Sequence, residues 1–247
     1  MKKKIFILFI LFSITAQNPI NAKDWGLGFE KKEAQPVGNE SQSYLKEFDA
    51  YFVGDNNKKK VYLTFDAGYE NGYTEKMLDI LKEYKVKAAF FLVGTYIKEN
   101  PEIVRRMVKE GHLVGNHTIR HKDMSKVYDI ESFKEQLEKA EEEYYNVVGK
   151  EMKKYYRPPE GKYSEQSLKF AKELGYKTMF WSVAYKDYDI NNQPANSHAL
   201  DKLTERVHPG AIILLHNISK TNAEILGEMI VKYREMGYEF EPLEEFN

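Results

Sequence analysis

A chain of 247 residues, 42% hydrophobic and 30% charged, is long enough to bury one good core, so a single main domain is expected. It contains no cysteine, which excludes disulfides, thiolate metal sites and a cysteine nucleophile, and leaves any metal to His, Asp, Glu or water. The formal net charge of -1 gives no reason to expect nucleic acid as a partner.

The chain opens with Lys2, Lys3 and Lys4 and an apolar run over 5–14, the basic and hydrophobic regions of an export signal. That run is shorter than the roughly 20 residues needed to cross a bilayer, so a cleaved signal over 1–22 is expected, with no membrane span afterwards. Its removal leaves 34 basic against 38 acidic residues. Residues 23–58 are polar, carry Gly26, Gly28, Gly38 and Gly54, and end in the charge run Lys58-Lys59-Lys60, which reads as an N-terminal extension. The regular pattern occupies 59–247.

Within it, 61–65 is a short apolar run, 74–84 has helical spacing through Met77, Leu78 and Leu81, and 88–93 is apolar again. The alternation continues with strand-like runs at 113–114, 155–156, 178–183, 211–215 and 238–240, which makes seven candidate strands. Gly111, Gly175 and Gly237 each stand directly before a strand, where glycine closes a helix in the left-handed conformation. Asn100-Pro101-Glu102 reads as a helix N-cap followed by proline in the first turn. Strands separated by helices imply a parallel sheet, open or closed as a barrel, with its site at the carboxyl ends of the strands.

The polar residues collect at those ends. Asp66 leaves the first run directly into Ala67-Gly68 and reads either as a helix cap or as a base. His117 and His121 are four residues apart, a spacing that on a helical turn lets two imidazoles bind one cation, although two ligands do not complete a tetrahedral site and a surface or core pair fits equally. Arg157 precedes Pro158-Pro159-Glu160-Gly161, either as a surface arginine at a rigid strand exit or as a guanidinium that keeps a carboxylate ionised. His216 ends an aliphatic run, as a core histidine or as a general acid whose pKa suits proton transfer near neutrality.

Taken together, these segments resemble the carbohydrate esterase family that shares the polysaccharide deacetylase, or NodB-homology, domain, over about residues 59 to 241 and with five motifs in the family's order. The resemblance implies an α/β fold, a distorted (β/α) barrel of about seven parallel strands. Thr64-Phe65-Asp66-Ala67-Gly68 looks like the first motif, with Asp66 as base and Ala67 where a carboxylate metal ligand usually stands. His117 and His121 match the second and imply the metal ligands. Arg157-Pro158-Pro159-Glu160-Gly161 looks like the third, whose arginine positions the base. Trp181-Ser182-Val183-Ala184-Tyr185-Lys186-Asp187-Tyr188 looks like the fourth, with Asp187 orienting the acid, and Leu215-His216 like the fifth, with His216 as acid and Leu215 lining the acetyl-methyl pocket. Tyr69, Trp181 and Glu160 are implied alongside Leu215 as substrate-binding residues.

Within the family, Gly68-Tyr69-Glu70-Asn71-Gly72-Tyr73-Thr74, Ile190-Asn191-Asn192-Gln193, His208-Pro209-Gly210-Ala211-Ile212 and Trp25-Gly26 are most similar to the delta-lactam-biosynthetic de-N-acetylases of spore formers. The resemblance implies hydrolytic de-N-acetylation of N-acetylmuramic acid in peptidoglycan, on the way to the muramic lactam of spore cortex. It also implies a divalent metal, with zinc the expected ion, the peptidoglycan glycan strand as partner, an upstream amidase that strips stem peptides, and a location outside the membrane in the wall or cortex. The alternatives are a deacetylase of another glycan, such as peptidoglycan N-acetylglucosamine, chitin oligomers or acetylated xylan, and a glycan-binding protein without activity because of Ala67.

Overall fold

The computed structural model describes residues 21–246. The signal read over 1–22 lies outside the described residues except for its last two positions. Eight strands form one curled sheet: β1 (Ala50–Tyr51), β2 (Lys60–Ala67), β3 (Ala89–Leu92), β4 (Leu113–Asn116), β5 (Tyr155–Tyr156), β6 (Lys177–Met179), β7 (Ala211–His216) and β8 (Glu239–Phe240). Their order is β7-β2-β3-β4-β5-β6-β1, with β8 paired to the start of β2, and every pairing is parallel. Past β6, Val183 forms a parallel bridge to Ile213 of β7, so the sheet curls towards closure. This is the distorted barrel expected from the sequence.

The helices between strands end as their glycines require: Gly111, Gly175 and Gly237 have φ of 78°, 80° and 83°. Pro101 opens the helix Pro101–Lys109, but Asn100 makes no side-chain cap and its amide donates instead to the Tyr96 carbonyl at 3.1 Å. The strand expected over 178–183 stops at Met179, where the Met179 and Phe180 carbonyls both accept from the buried Arg157 guanidinium.

Residues 23–58 are woven into this body. β1 extends the sheet beside β6, and Trp25 is 7% exposed, stacked on Phe180 at 4.7 Å between ring centroids. Its indole N–H donates to the Trp181 carbonyl at 2.9 Å, and its backbone N–H donates to the Gly161 carbonyl at 2.9 Å. Truncating a buried aromatic of this kind costs about 3–5 kcal/mol, so the segment is part of the fold's stability.

Successive strand residues point to opposite faces. On β2, Val61, Leu63, Phe65 and Ala67 pack outward in the large cluster beneath the helices, with Leu78 and Met229. Tyr62 points the other way, into an inner cluster with Phe91, Met179 and Ile212. Thr64 and Asp66 share that inner face, which is how an apolar strand delivers a hydroxyl and a carboxylate to the barrel interior.

Candidate active site

Asp66 is 7% exposed at the carboxyl end of β2. Arg157, fully buried, enters from the end of β5, and its Nη1 donates to Asp66 Oδ1 and to Thr64 Oγ1, both at 2.8 Å. Its remaining nitrogens donate to the Met179 carbonyl at 2.8 Å and the Phe180 carbonyl at 3.3 Å, while its plane lies 4.2 Å from the Phe91 ring centroid. An ion pair this buried is costly unless its hydrogen bonds are filled, and here both partners are held. Burial alone would favour the protonated acid, but the Arg157 guanidinium, with His117 and His216 beyond it, holds the Asp66 carboxyl below its ordinary value. Asp66 is therefore a fixed, ionised acceptor and caps no helix.

His117 and His121 meet with ring centroids 4.8 Å apart. Their four-residue spacing works through a turn, not the helical turn expected, since Thr118 and His121 both adopt positive φ, 67° and 55°. Each such residue costs on the order of 1–3 kcal/mol. The turn is pinned by the Thr118 N–H to Asn116 Oδ1 at 2.8 Å, and by the Ile119 N–H to the Gln136 carbonyl at 2.9 Å. His117 Nδ1 bonds the Arg157 carbonyl at 2.8 Å, so that nitrogen carries the proton and Nε2 keeps its lone pair. Burial pushes the His117 pKa down to about 4, so at neutral pH the ring is uncharged.

Nε2 of His117 and Oδ2 of Asp66 then face each other at 3.5 Å, two acceptors with no proton of their own to share. Among the described residues no group of three or more His, Asp or Glu side chains is already gathered for a metal ion. The donors to hand are His117 and His121, with Asp66 committed through one oxygen to Arg157. Facing acceptors of this kind suit a divalent cation mounted on two imidazoles and completed by water. Ala67 lines the same pocket and offers no ligand.

Across the pocket, His216 Nδ1 bonds Asp187 Oδ1 at 2.7 Å, and the His216 backbone N–H donates to Oδ2 of the same carboxylate at 2.8 Å. Burial would lower the His216 pKa, but the adjoining Asp187 carboxylate outweighs it and the pKa is raised above 6.5. His216 and Asp66 are direct register partners on the neighbouring strands β7 and β2. One cleft of about 760 Å³ joins Asp66, His117, His121 and His216, walled by Tyr69, Glu160, Trp181, Tyr185 and Tyr188.

Leu215 requires a correction. It packs outward with Phe65 and Ala67, while Leu214, on the same face as His216, lines the cleft. The strand's two-residue period decides this, since the position that shares a face with His216 is two residues away. Glu160 sits at the rim with φ of 57°, its carboxylate 2.6 Å from Lys162 Nζ. Gly161 follows with φ of 68°, where an added Cβ would lie 2.7 Å from the Trp181 ring. The Arg157-to-Gly161 segment thus has a backbone path that its residues and Trp181 jointly dictate.

Two residues escape a reading for titratable groups. Thr64 accepts from Arg157 and donates to the Ile213 carbonyl at 2.6 Å, and its place two residues before Asp66 on an otherwise apolar strand is the signal that finds it. Asn222, fully buried, donates to Asp187 Oδ2 at 2.6 Å and to the His216 carbonyl at 3.1 Å, and accepts from the Tyr185 hydroxyl. It lies in the first turn of the helix Lys220–Glu235, and its own N–H bonds Ser219 Oγ at 3.1 Å. Nothing local in the sequence separates it from an ordinary helix-start asparagine.

Residues 53–179 match the polysaccharide deacetylase family model. The chain is 41% identical over 228 residues to the peptidoglycan-N-acetylmuramic acid deacetylase PdaA of Bacillus subtilis, covering 92% of this chain and 85% of that protein. The solved structure of Bacillus subtilis PdaA, a family 4 carbohydrate esterase, superposes with a TM-score of 0.88 at 39% identity, covering 93% of this chain and 98% of that one. A family 4 carbohydrate esterase from Bacillus anthracis superposes with a TM-score of 0.75 at 40% identity, over 92% and 97% of the two chains.

Proposed function

The chain belongs to the polysaccharide deacetylase family, and from that premise we propose that it hydrolyses the acetamide of N-acetylmuramic acid in peptidoglycan, releasing acetate and leaving a free amine. The observation that carries this reading is the pairing of Asp66 with His216 in direct register, each fixed by its own buried partner, at the mouth of one cleft. The likeness to a muramic acid deacetylase over nearly the whole chain supports the substrate.

Asp66 is the base. Its free Oδ2 takes a proton from the attacking water, whose oxygen adds to the acetamide carbonyl, while Arg157 keeps the carboxyl ionised between turnovers. The backbone N–H of Glu160 is the proposed donor to the oxyanion, and Leu214 offers the apolar wall for the acetyl methyl group. His216 is the acid. With Nδ1 held by Asp187, its Nε2 proton goes to the departing nitrogen as the C–N bond breaks. Tyr69 and Trp181 flank the sugar. His117 and His121 would hold a divalent ion, zinc in this reading, which when bound supplies Lewis-acid polarisation of the water and the carbonyl. The amine so exposed stands beside the lactyl carboxylate of the same sugar, and their closure with loss of water gives the muramic lactam of spore cortex. In this reading the signal expected over 1–22 exports the chain, and the chemistry takes place outside the membrane after an amidase has removed the stem peptide. Among the described residues no helix is long and apolar enough to cross a membrane.

A second reading, a glycan-binding protein without activity, is favoured by Ala67 alone. Against it stands the cost of burying Arg157 with Asp66 and Asp187 with His216, which binding does not require. Acetate release from a panel of peptide-free peptidoglycan strands, chitin oligomers and acetylated xylan, with zinc added, separates the readings. Release from the first alone is expected. Release from none, with glycan binding retained, selects the second reading.

A further inference from the structure

In the segment Gly68-Tyr69-Glu70-Asn71-Gly72-Tyr73-Thr74, Gly68 and Tyr69 line the cleft, while Glu70 reaches back to the helix that follows. We infer that Glu70 is a positioning residue for glycan binding: its carboxylate fixes the loop 68–73, and the loop holds Tyr69 at the cleft wall where the sugar strand docks. The inference rests on the reading of this cleft as a glycan site.

Both oxygens of the carboxylate are engaged. Oε1 accepts from the backbone N–H groups of Gly72 at 2.7 Å, Tyr73 at 3.1 Å and Thr74 at 3.3 Å. Oε2 accepts from the hydroxyls of Thr74 and Tyr96, the latter at 2.8 Å, and both of those residues are fully buried. The helix Thr74–Glu83 opens on Tyr73, whose side chain makes no cap. Glu70 supplies the acceptor that the cap position lacks, together with the negative charge that a helix N-terminus favours. Burial would raise the Glu70 pKa, but the Thr74 and Tyr96 hydroxyls and the backbone N–H groups outweigh it and hold the carboxyl below its ordinary value. It is ionised at neutral pH.

The same loop is tied to the strand that bears the acid. Asn217, fully buried and next to His216, donates through Nδ2 to the Tyr69 carbonyl at 3.0 Å and to Thr74 Oγ1 at 2.9 Å. Asn71 Nδ2 donates to the Ile218 carbonyl at 3.0 Å. Tyr69 is therefore held through its own carbonyl and through its neighbour Glu70, although the residue itself is 44% exposed. Gly68 and Gly72 give the loop backbone freedom, and Gly72 uses it at φ of 82°. A loop of this kind without such ties would order only as the strand arrives, and that ordering would lower affinity. An ordinary helix cap answers an N–H of the first turn. The convergence of backbone and buried hydroxyl donors on Glu70 instead fixes the whole path from Tyr69 into the helix.

The test is a double-substitution cycle on binding, a titration with peptide-free peptidoglycan strands run with a chelator and with acetate monitored to verify that the strands stay intact. Glu70→Ala is expected to weaken binding about 5-fold, the scale of re-ordering a loop side chain on association. Tyr69→Ala is expected to weaken it about 10-fold. In the Tyr69→Ala background, Glu70→Ala should then change binding by less than about 2-fold, because its effect runs through the ring already removed. Glu75→Ala, the same charge change in the first turn of the same helix, leaves affinity in place. Glu70→Gln keeps an acceptor for the three N–H groups and carries the cycle if Glu70→Ala does not fold, with a loss of about 3-fold that vanishes in the Tyr69→Ala background. With zinc added, Glu70→Ala should raise the KM for acetate release by the factor seen in binding, with kcat within about 2-fold.

Independent losses from Glu70 and Tyr69 overturn the inference, as does an equal loss from Glu75→Ala or an absence of strand binding by the unaltered protein. Unchanged binding in a folded Glu70→Ala variant reduces Glu70 to a helix cap and also overturns it. A fall in kcat with binding unchanged assigns Glu70 to the acid, through Asn217, and overturns it too. Absence of acetate release with metal added, alongside an intact binding cycle, overturns the hydrolytic reading and leaves the positioning role standing.

Discussion

The two sides of the cleft are built to different standards. On the Asp66–His216 side every polar atom that positions the chemistry is answered: Arg157 donates to three kinds of acceptor, and Asp187 receives two donors from His216 and one from Asn222. On the His117–His121 side the imidazoles hang on a turn with two residues at positive φ, an acceptor faces an acceptor, and Ala67 supplies nothing. In the proposed reaction proton transfer depends on geometry fixed before the substrate arrives, and the residues assigned to it are locked within the fold. The metal mount proposed at His117 and His121 would be completed by the ion and its waters, and would tolerate a missing side chain at the expense of affinity.

The sharpest way to break this comparison is Asp66→Asn, which keeps the shape and removes the proton acceptor. A fall of about 10³- to 10⁴-fold in kcat is expected from acetate release, with metal affinity changed far less. A loss of metal binding equal to the loss of rate would move Asp66 to the other side of the comparison. Ala67→Asp adds the absent carboxylate and should raise zinc affinity about 10- to 100-fold in a calorimetric titration. Unchanged affinity would mean that position 67, whose side chain packs with Phe65, does not reach the ion.

Asn222→Ala tests the acid through a residue that touches no substrate. A fall in kcat of about 10-fold is expected, on the scale of one buried hydrogen bond to a charged group. The His216 pKa is raised chiefly by Asp187 working against burial, so loosening that pair lowers it. Activity requires the protonated acid, so the alkaline limb of the pH–rate profile should move to lower pH; a fall in rate with an unmoved limb would leave Asn222 with a purely structural part.

The smallest effect concerns stability. His117 titrates near 4 in the folded protein and near 6.5 when unfolded, so between those values the unfolded chain binds the extra proton and stability falls as the pH drops. In metal-free buffer the urea midpoint should decline across that window, and less steeply in His117→Gln. His112 and His208, also held near 4 by burial, add to the same decline and set the slope that remains. An unchanged slope would mean that His117 gains a proton as readily inside the fold as outside it.

Much of this was legible in the sequence where a single physical rule governs a residue. The glycine closures at Gly111, Gly175 and Gly237 and the polar residues at strand ends follow from backbone sterics and from the direction of a parallel sheet. Three features were not. The strand at Ala50–Tyr51 is two residues long and exists because β6 offers it an edge, which no local pattern announces. Leu215 and Leu214 are chemically identical, and only the facing of β7 tells them apart. Asn222 owes its place to a contact 35 residues distant in sequence, with Asp187, and helix-start asparagines are otherwise common. The expected helical turn between His117 and His121 failed for a related reason, since spacing brings the rings together in more than one backbone conformation.

The central claim is that an intact base and acid act on muramic acid despite the thin metal mount. Mass spectrometry of peptide-free peptidoglycan strands, incubated with the protein and zinc, tests it most directly. The account predicts loss of acetyl groups from the muramic acid residues alone, abolished in Asp66→Asn. Muramic acid left fully acetylated, whether N-acetylglucosamine is deacetylated instead or no sugar is touched, would contradict it.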